Sequence, residues 1–314
     1  MMKRRFAAQG AARATTEGCP SSDCVGIDLH VHSCFSDGVK TPAELAVMAH
    51  KAKVTYLALC DHDTANGYSD MKKALDGSRI TLIPGAEIST GQSGSTHVLC
   101  YGHGVNSVEM QLFLNAIAQE RIGRAEEMIR RLAKEGIFIS EEKQAELLAS
   151  SSVGRTHLAR AIIETGACNT VRQAFERYLG QGRPAYVPRS LPSTTEAVEK
   201  LSRMKVVPVL AHPMRMGLEE AALHAFVRSL KECGLKGLEA YHPSANHSSA
   251  KQLEQLARQE NLLVTGGSDY HGDPGSTAHI GRLPSGWQTR AQDMTALLDA
   301  IANTTHTKGA NDHV

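Results

Sequence analysis

The residues best suited to chemistry begin with Asp28-Leu29-His30-Val31-His32, followed by Asp37 and, further on, by Asp61-His62-Asp63. Two histidines separated by one residue at the end of an apolar run project to the same side of an extended backbone, because side chains alternate along a strand. That geometry suits one metal ion. Later apolar runs end on similar groups: His62, Glu87, His97, His212, and Asp269 with His271. With Asp37 on the loop after the first run, the set holds six imidazoles and three carboxylates.

Imidazole and carboxylate without thiolate favour Zn²⁺, Mn²⁺ or Fe²⁺ over a structural zinc site of the cysteine type. Nine donors are too many for one tetrahedral ion. The count fits two or three ions, with Glu87 able to bridge neighbours. Such clusters hydrolyse phosphoesters by gripping the attacking and leaving oxygens, and their nucleophile is a water whose pKa the metal lowers to about 7. Any one of these groups taken alone reads equally well as a surface or core residue. The set carries the reading, because each member ends an independent apolar run or sits just beyond one. His50, His103, His224, His279, His306 and His313 fall elsewhere and read as ordinary histidines, as do His242 and His247.

Positioning such a set requires a scaffold that brings distant segments together. From Val25 short apolar runs alternate with amphipathic helical segments, the signature of β/α architecture with parallel strands. Strands are expected at 26–31, 56–60, 81–86, 96–101, 206–211, 237–241 and 262–266. In β/α barrels functional groups gather at the C-terminal ends of the strands, so residues spread over the chain can share one pocket. Thr41-Pro42-Ala43-Glu44 marks a helix start, with Thr41 capping, Pro42 at the first helical position and Glu44 completing a capping box. Between about 105 and 189 the rhythm changes to helices alone, at 108–135, 141–150, 155–166 and 170–179. This is a helical insertion, and the Gly-rich segment 180–188 reads as the loop that returns the chain. The resulting division is a tail over 1–24, a catalytic domain over 25–104 and 190–303, a helical cap over 105–189, and a tail over 304–314.

At 314 residues and 41% apolar content the chain can bury a substantial core. A formal net charge of +1 gives no global field for a polyanion, so phosphate recognition must come from a local cluster. Seven cysteines without a C-x-x-C pair read as reduced thiols in the cytoplasm. Residues 1 to 24 are basic and lack the continuous apolar stretch of a secretory signal; they read as a mobile tail, with organelle targeting the alternative. No run approaches the ~20 apolar residues that cross a bilayer.

Local cations are found in the helical segment. Gly154-Arg155-Thr156-His157 begins a helix, whose N-terminus presents free N–H groups to an anion, with Arg155 able to add a bidentate grip. Arg183 in the Gly-rich loop and Arg215 after His212-Pro213 add two more. Aromatic content is only 4%, leaving Tyr186 and Tyr241 as faces on which a base could stack.

Asp28-Leu29-His30-Val31-His32-Ser33, Asp61-His62-Asp63, Pro84-Gly85-Ala86-Glu87-Ile88-Ser89, His97-Val98-Leu99, Ala211-His212-Pro213 and Gly267-Ser268-Asp269-Tyr270-His271 together resemble the PHP (polymerase and histidinol phosphatase) family of metal-dependent phosphoesterases, over about residues 26 to 285. The resemblance implies an α/β fold, a distorted (β/α)7 barrel with a helical insertion, and two or three divalent ions, manganese first, with zinc or iron as alternatives. It also implies a ligand scheme: His30, His32, Glu87 and Asp269 for one ion; Asp37, His62, Glu87 and His271 for a second; His97 and its neighbours for a third. Asp37 stands where some members have His.

Gly154-Arg155-x-His157 and Gly182-Arg183-Pro184-Ala185-Tyr186-Val187-Pro188 resemble the subgroup that includes bacterial 3′,5′-nucleotide bisphosphate phosphatases and short-RNA 5′-3′ exonucleases. This resemblance implies removal of the 3′-phosphate from adenosine 3′,5′-bisphosphate to leave AMP, or release of nucleotides from short 5′-phosphorylated RNA. Arg155, His157, Arg183 and Arg215 would bind substrate; His212 or a metal-bound water would protonate the leaving 3′-oxygen, and Asp63 would orient a ligand from behind it. No membrane and no obligate protein partner is implied. The competing activities are histidinol-phosphate phosphatase and a PHP module that only binds or assists another protein.

Overall fold

A computed structural model describes residues 26–91, 96–150, 152–273, 276–283 and 290–306. The tail expected at 1–24 and most of that expected at 304–314 lie outside these residues. Seven strands hydrogen-bond in sequence order: β1 (Gly26–Val31), β2 (Val54–Leu59), β3 (Thr81–Thr90), β4 (Thr96–Tyr101), β5 (Val207–Leu210), β6 (Gly237–Tyr241) and β7 (Leu263–Gly266). The chain beyond β7 returns to β1, where Asp269 N–H donates to the His30 carbonyl at 2.8 Å and His32 N–H to the Tyr270 carbonyl at 3.0 Å. The Tyr101 hydroxyl on β4 donates to the Leu29 carbonyl on β1 at 2.8 Å, across the space the strands surround.

All expected strands form, but one runs the other way. β4 is antiparallel to both β3 and β5, whereas the remaining pairs are parallel. β3 and β4 are consecutive in the chain with only a short connection between them, and an antiparallel pair can be joined that way whereas a parallel pair needs a long crossover.

Helices α1 (Pro42–Lys51) and α2 (Tyr68–Ala74) follow the first two strands. α1 starts at the expected capping box, with Glu44 N–H donating to Thr41 Oγ1 at 3.3 Å and Thr41 N–H to Glu44 Oε2 at 2.9 Å. Between β4 and β5 lie α3 (Val108–Lys134), α4 (Glu141–Ala149), α5 (Arg155–Glu164) and α6 (Val171–Ala174). The helix expected at 170–179 changes to a π-turn at Phe175–Leu179, closed by Gly180 N–H on the Phe175 carbonyl at 2.8 Å. α7 (Thr194–Arg203), α8 (Glu220–Glu232), α9 (His247–Gln259) and α10 (Ala291–His306) complete the described chain, so residues 304–306 are the last turn of a helix rather than tail.

The apolar side chains sort into distinct cores. Leu29, Ile83, Leu99 and Val209 of the strands pack with Met294, Leu297 and Ile301 of α10. Helices α3 to α6 build a separate core from Met128, Leu132, Leu158, Ile162 and Leu179. Among the described residues no helix is long and apolar enough to cross a membrane.

Candidate metal centre and anion pocket

His30 on β1 and His32 just beyond it point to one side by strand alternation. On β3, Glu87 and Ser89 share a face for the same reason, and the antiparallel register sets His97 directly opposite Ser89. The reversed direction of β4 matters here. Its N-terminal end lies at the rim formed by the C-terminal ends of the parallel strands, so His97 enters the site from the start of its strand rather than from its end. His62 follows β2, His212 follows β5, and Asp269 and His271 follow β7.

Glu87 is the hub. Its Oε2 lies 3.1 Å from His30 Nε2, 3.2 Å from His32 Nε2 and 3.0 Å from His62 Nδ1. Its Oε1 lies 2.8 Å from both His97 Nδ1 and His212 Nε2. Asp269 Oδ1 is 3.1 Å from His32 Nε2, and Asp37 Oδ1 is 3.1 Å from His271 Nε2. Asp63, His212 and Asp269 have φ values of 54°, 30° and 50°, the left-handed region that non-glycine residues rarely enter. Such strain persists only where the surroundings over-determine it.

Among the described residues three sets bring metal-binding atoms within 4.8 Å of one another: His30, His32, Glu87 and Asp269; His32, Asp37, His62 and His271; and His62, Glu87 and His97. The first matches the scheme implied by the sequence resemblance. In the second the geometry puts His32 where that scheme put Glu87, and Glu87 falls in the third.

The donor atoms suit a cation. Despite those short contacts, His30 Nε2, both nitrogens of His32, Asp37 Oδ1, His62 Nδ1, Glu87 Oε2 and His212 Nδ1 are buried without a well-formed hydrogen bond among the described residues. Each such atom costs about 1–3 kcal/mol unless something satisfies it. Burial opposes charge on Glu87, but His62, His30 and His97 hold it well below the usual carboxylate range. Burial also opposes charge on His32, yet Asp269 and Glu87 hold it up at about 10. Burial, joined by the neighbouring His32 and His97, outweighs Glu87 and Asp37 and pushes His62 down to about 3. With divalent ions, the carboxylates would face metal charge in place of imidazolium charge.

Several groups lie behind the donors, and Glu239 among them was not singled out in the sequence. Glu239, within β6, accepts from His30 Nδ1 at 2.8 Å, and its other oxygen accepts the His212 backbone N–H at 2.7 Å. His242 lies 3.1 Å from Asp269 Oδ2, as does Arg215 Nη1. Arg215 therefore sits against a donor carboxylate. Asp61 accepts from Ser33 and Ser36, fixing the loop that carries Asp37. Glu239 had a legible signal, a charged residue inside the apolar run Leu238-Glu239-Ala240, the same signal that marks Glu87.

A cavity of about 170 Å³ opens beside these donors, lined by Asp37, His62 and His97 together with Arg121, Ser152, Arg155, His157 and Arg189. Arg155 and His157 are where the sequence put them, at the start of α5, and the Arg155 guanidinium sits 5.3 Å from the Phe175 ring centre and 5.8 Å from that of Tyr186. His157 Nε2 lies 3.2 Å from the Ser36 carbonyl. Arg183 does not line the cavity and is exposed on its turn. Tyr241 is buried and offers no face to a base.

Arg121 and Arg189 supply the cations that the sequence reading missed. Arg121 is buried against Asp63, with Nε 2.7 Å and Nη2 also in contact with Oδ2, and it donates to Ser89 Oγ at 2.8 Å. Asp63 also accepts Ser89 N–H at 2.7 Å. It thus braces Arg121 rather than a metal-facing histidine. Arg189 differs: among the described residues its Nε and Nη1 are buried without a partner, as is Ser152 Oγ. Burial and the neighbouring Arg121 push the Arg189 guanidinium down to about 9.

Residues 28–181 match the PHP domain family. A 5′-3′ exoribonuclease of Haemophilus influenzae is 32% identical over 275 residues, 87% of this chain and 96% of that protein. A 3′,5′-nucleoside bisphosphate phosphatase of Chromobacterium violaceum is 30% identical over 249 residues, 78% of this chain and 87% of that protein. Among solved structures, an amidohydrolase from Chromobacterium violaceum with bound sulfate and no metal superposes with a TM-score of 0.75 at 26% identity, covering 88% of this chain and 97% of that one.

Proposed function

The chain belongs to the PHP domain family, and from that premise we propose that it is a metal-dependent phosphoesterase that removes the 3′-phosphate from nucleoside 3′,5′-bisphosphates and acts on short 5′-phosphorylated RNA. One observation carries the substrate reading. A single cavity is lined both by metal-binding side chains and by Arg189, whose Nε and Nη1 have no partner among the described residues. A substrate with two phosphates satisfies both the metal-binding groups and Arg189; a monophosphate satisfies one of them.

The roles follow from position. His30, His32, Asp37, His62, Glu87, His97, Asp269 and His271 would hold the ions, which would supply Lewis-acid chemistry there. Manganese is the first expectation, with zinc and iron accepted by the same donors. His212 does not line the cavity, and its place 2.8 Å from Glu87 supports a role beside the donors rather than proton delivery to the leaving oxygen. Arg189, Arg155 and Ser152 take the second phosphate. Arg121, neutralised by Asp63, shapes that end of the cavity and presents it to the metal side through Ser89.

The test is a comparison of kcat/KM for adenosine 3′,5′-bisphosphate, 3′-AMP and histidinol phosphate after reconstitution with Mn²⁺. Hydrogen bonds to a charged group contribute about 1.5–3 kcal/mol, so the bisphosphate should be preferred over 3′-AMP by roughly 10- to 150-fold. Equal rates on the two nucleotides overturn the second-phosphate reading.

A further inference from the structure

We infer that Glu239 is a positioning residue of the metal centre, one that fixes which nitrogen of His30 faces the ions and holds His212 in its left-handed backbone conformation. The inference rests on the reading of the donor cluster as a metal site.

Glu239 is fully buried in the middle of β6 and both its oxygens are committed. One accepts from His30 Nδ1 at 2.8 Å; the other accepts the backbone N–H of His212 at 2.7 Å. A carboxylate can only accept, so the first contact places a proton on Nδ1 and leaves the Nε2 lone pair free. Nε2 is the atom that lies 3.1 Å from Glu87 and 3.5 Å from Asp269, within the first donor set. A carboxylate behind a metal-binding imidazole sets its tautomer and raises its basicity. The second contact acts where the backbone is least comfortable. His212 has φ 30° and ψ 59°, and its Nε2 meets the other oxygen of Glu87 at 2.8 Å. One carboxylate therefore orients two imidazoles that converge on opposite oxygens of Glu87.

The isosteric change Glu239→Gln separates this role from simple packing. The His212 backbone N–H can only donate, so the glutamine carbonyl must turn toward it. The amide NH₂ then faces His30 Nδ1, and that contact is favourable only if Nδ1 accepts. The proton moves to Nε2, the atom the ion needs. E239Q thus keeps both hydrogen bonds and the same shape while presenting the wrong tautomer to the metal.

The experiment uses the full chain stripped with chelator and titrated with Mn²⁺ by calorimetry, with melting of the stripped protein as the control for folding. E239Q should melt within a few degrees of the wild type when metal-free, yet bind one ion about 10- to 100-fold more weakly. A second measurement needs no variant: in the Zn²⁺-loaded wild type, nitrogen NMR of the labelled imidazoles should show His30 protonated at Nδ1. An E239Q chain that binds every ion within about twofold of the wild type overturns the assignment, as does a proton on His30 Nε2 in the loaded wild type. A wild type that binds no ion overturns the metal centre itself, and the assignment with it.

Discussion

Replacing Arg189 by Met should stabilise the ligand-free protein and abolish its preference for a second phosphate. The guanidinium is buried, its Nε and Nη1 lack partners, and burial with the nearby Arg121 charge lowers its pKa from 12.5 to about 9. At 1.36 kcal/mol per pH unit, that drop corresponds to about 5 kcal/mol of unfavourable environment for the charge at neutral pH. The sign follows from linkage. Below about 9 the folded protein carries the charge at full cost; between about 9 and 12.5 the unfolded chain binds more protons, so this group's contribution to stability improves as pH rises through that window. Met keeps the apolar stem and removes the charge, and replacement of buried ionic groups by apolar ones of similar volume stabilises by about 1–4 kcal/mol. Urea unfolding at pH 7 in a phosphate-free buffer reads that gain. On the functional side, the KM for adenosine 3′,5′-bisphosphate should rise about 10- to 150-fold, while kcat/KM for 3′-AMP should change by less than about threefold. Inorganic phosphate should raise the melting temperature of the wild type more than that of R189M. A variant less stable than the wild type refutes the unpaired-cation argument, and an unchanged bisphosphate-to-monophosphate ratio refutes the anion pocket.

Asp63→Asn leaves Arg121 buried without its counter-charge and should destabilise the fold by about 3–5 kcal/mol in urea titration; no loss would remove Asp63 from its bracing role. Burial raises the Asp63 carboxyl, but Arg121, His62 and the Ser89 hydrogen bonds together hold it below its ordinary value, so its contribution is present above the ordinary carboxylate pKa and disappears as pH falls through the lower folded value. Arg183→Ala should leave the KM for the bisphosphate within about twofold, and a tenfold rise would bring that exposed residue back into the site. Chelation should lower the melting temperature and Mn²⁺ should restore it, since free ion at a thousandfold excess over its Kd adds about 4 kcal/mol to stability; indifference to both would mean that the orphaned donors do not hold an ion.

The strands and the donors were legible in the sequence because each donor ends, or nearly ends, an apolar run whose period and length specify a strand. His97 shows the limit of that rule. It lies at the start of β4 and joins the others only because that strand runs backwards, a consequence of the short connection from β3 rather than of any feature of His97 itself. Glu239 carried the same signal as Glu87 and, like it, lies inside its strand, but its oxygens hold His30 and the His212 backbone from behind instead of joining the donor sets.

The missed arginines have a different cause. Arg121 and Arg124 lie in the run Gln119-Glu120-Arg121-Ile122-Gly123-Arg124, which reads as the solvated face of a helix. Helix α3 is not an ordinary surface helix, because it serves two cores in succession. Met110, Phe113, Leu114 and Ile117 pack with residues of the strands and of α7, α8 and α9, whereas Ala125, Met128, Ile129 and Leu132 belong to the core built by α4, α5 and α6. The arginines occupy the turns between these two apolar stretches, where neither core needs an apolar side chain and both bodies cover the helix. Arg121 there meets Asp63 and Arg124 meets the Val187 carbonyl, two residues before Arg189. A long helix whose apolar residues serve two separate cores must bury its middle turns at the junction, and a junction that is cationic and borders a cluster of metal-binding residues is where a second phosphate would bind. The proposed anion pocket is therefore a property of how the helical segment joins the strands.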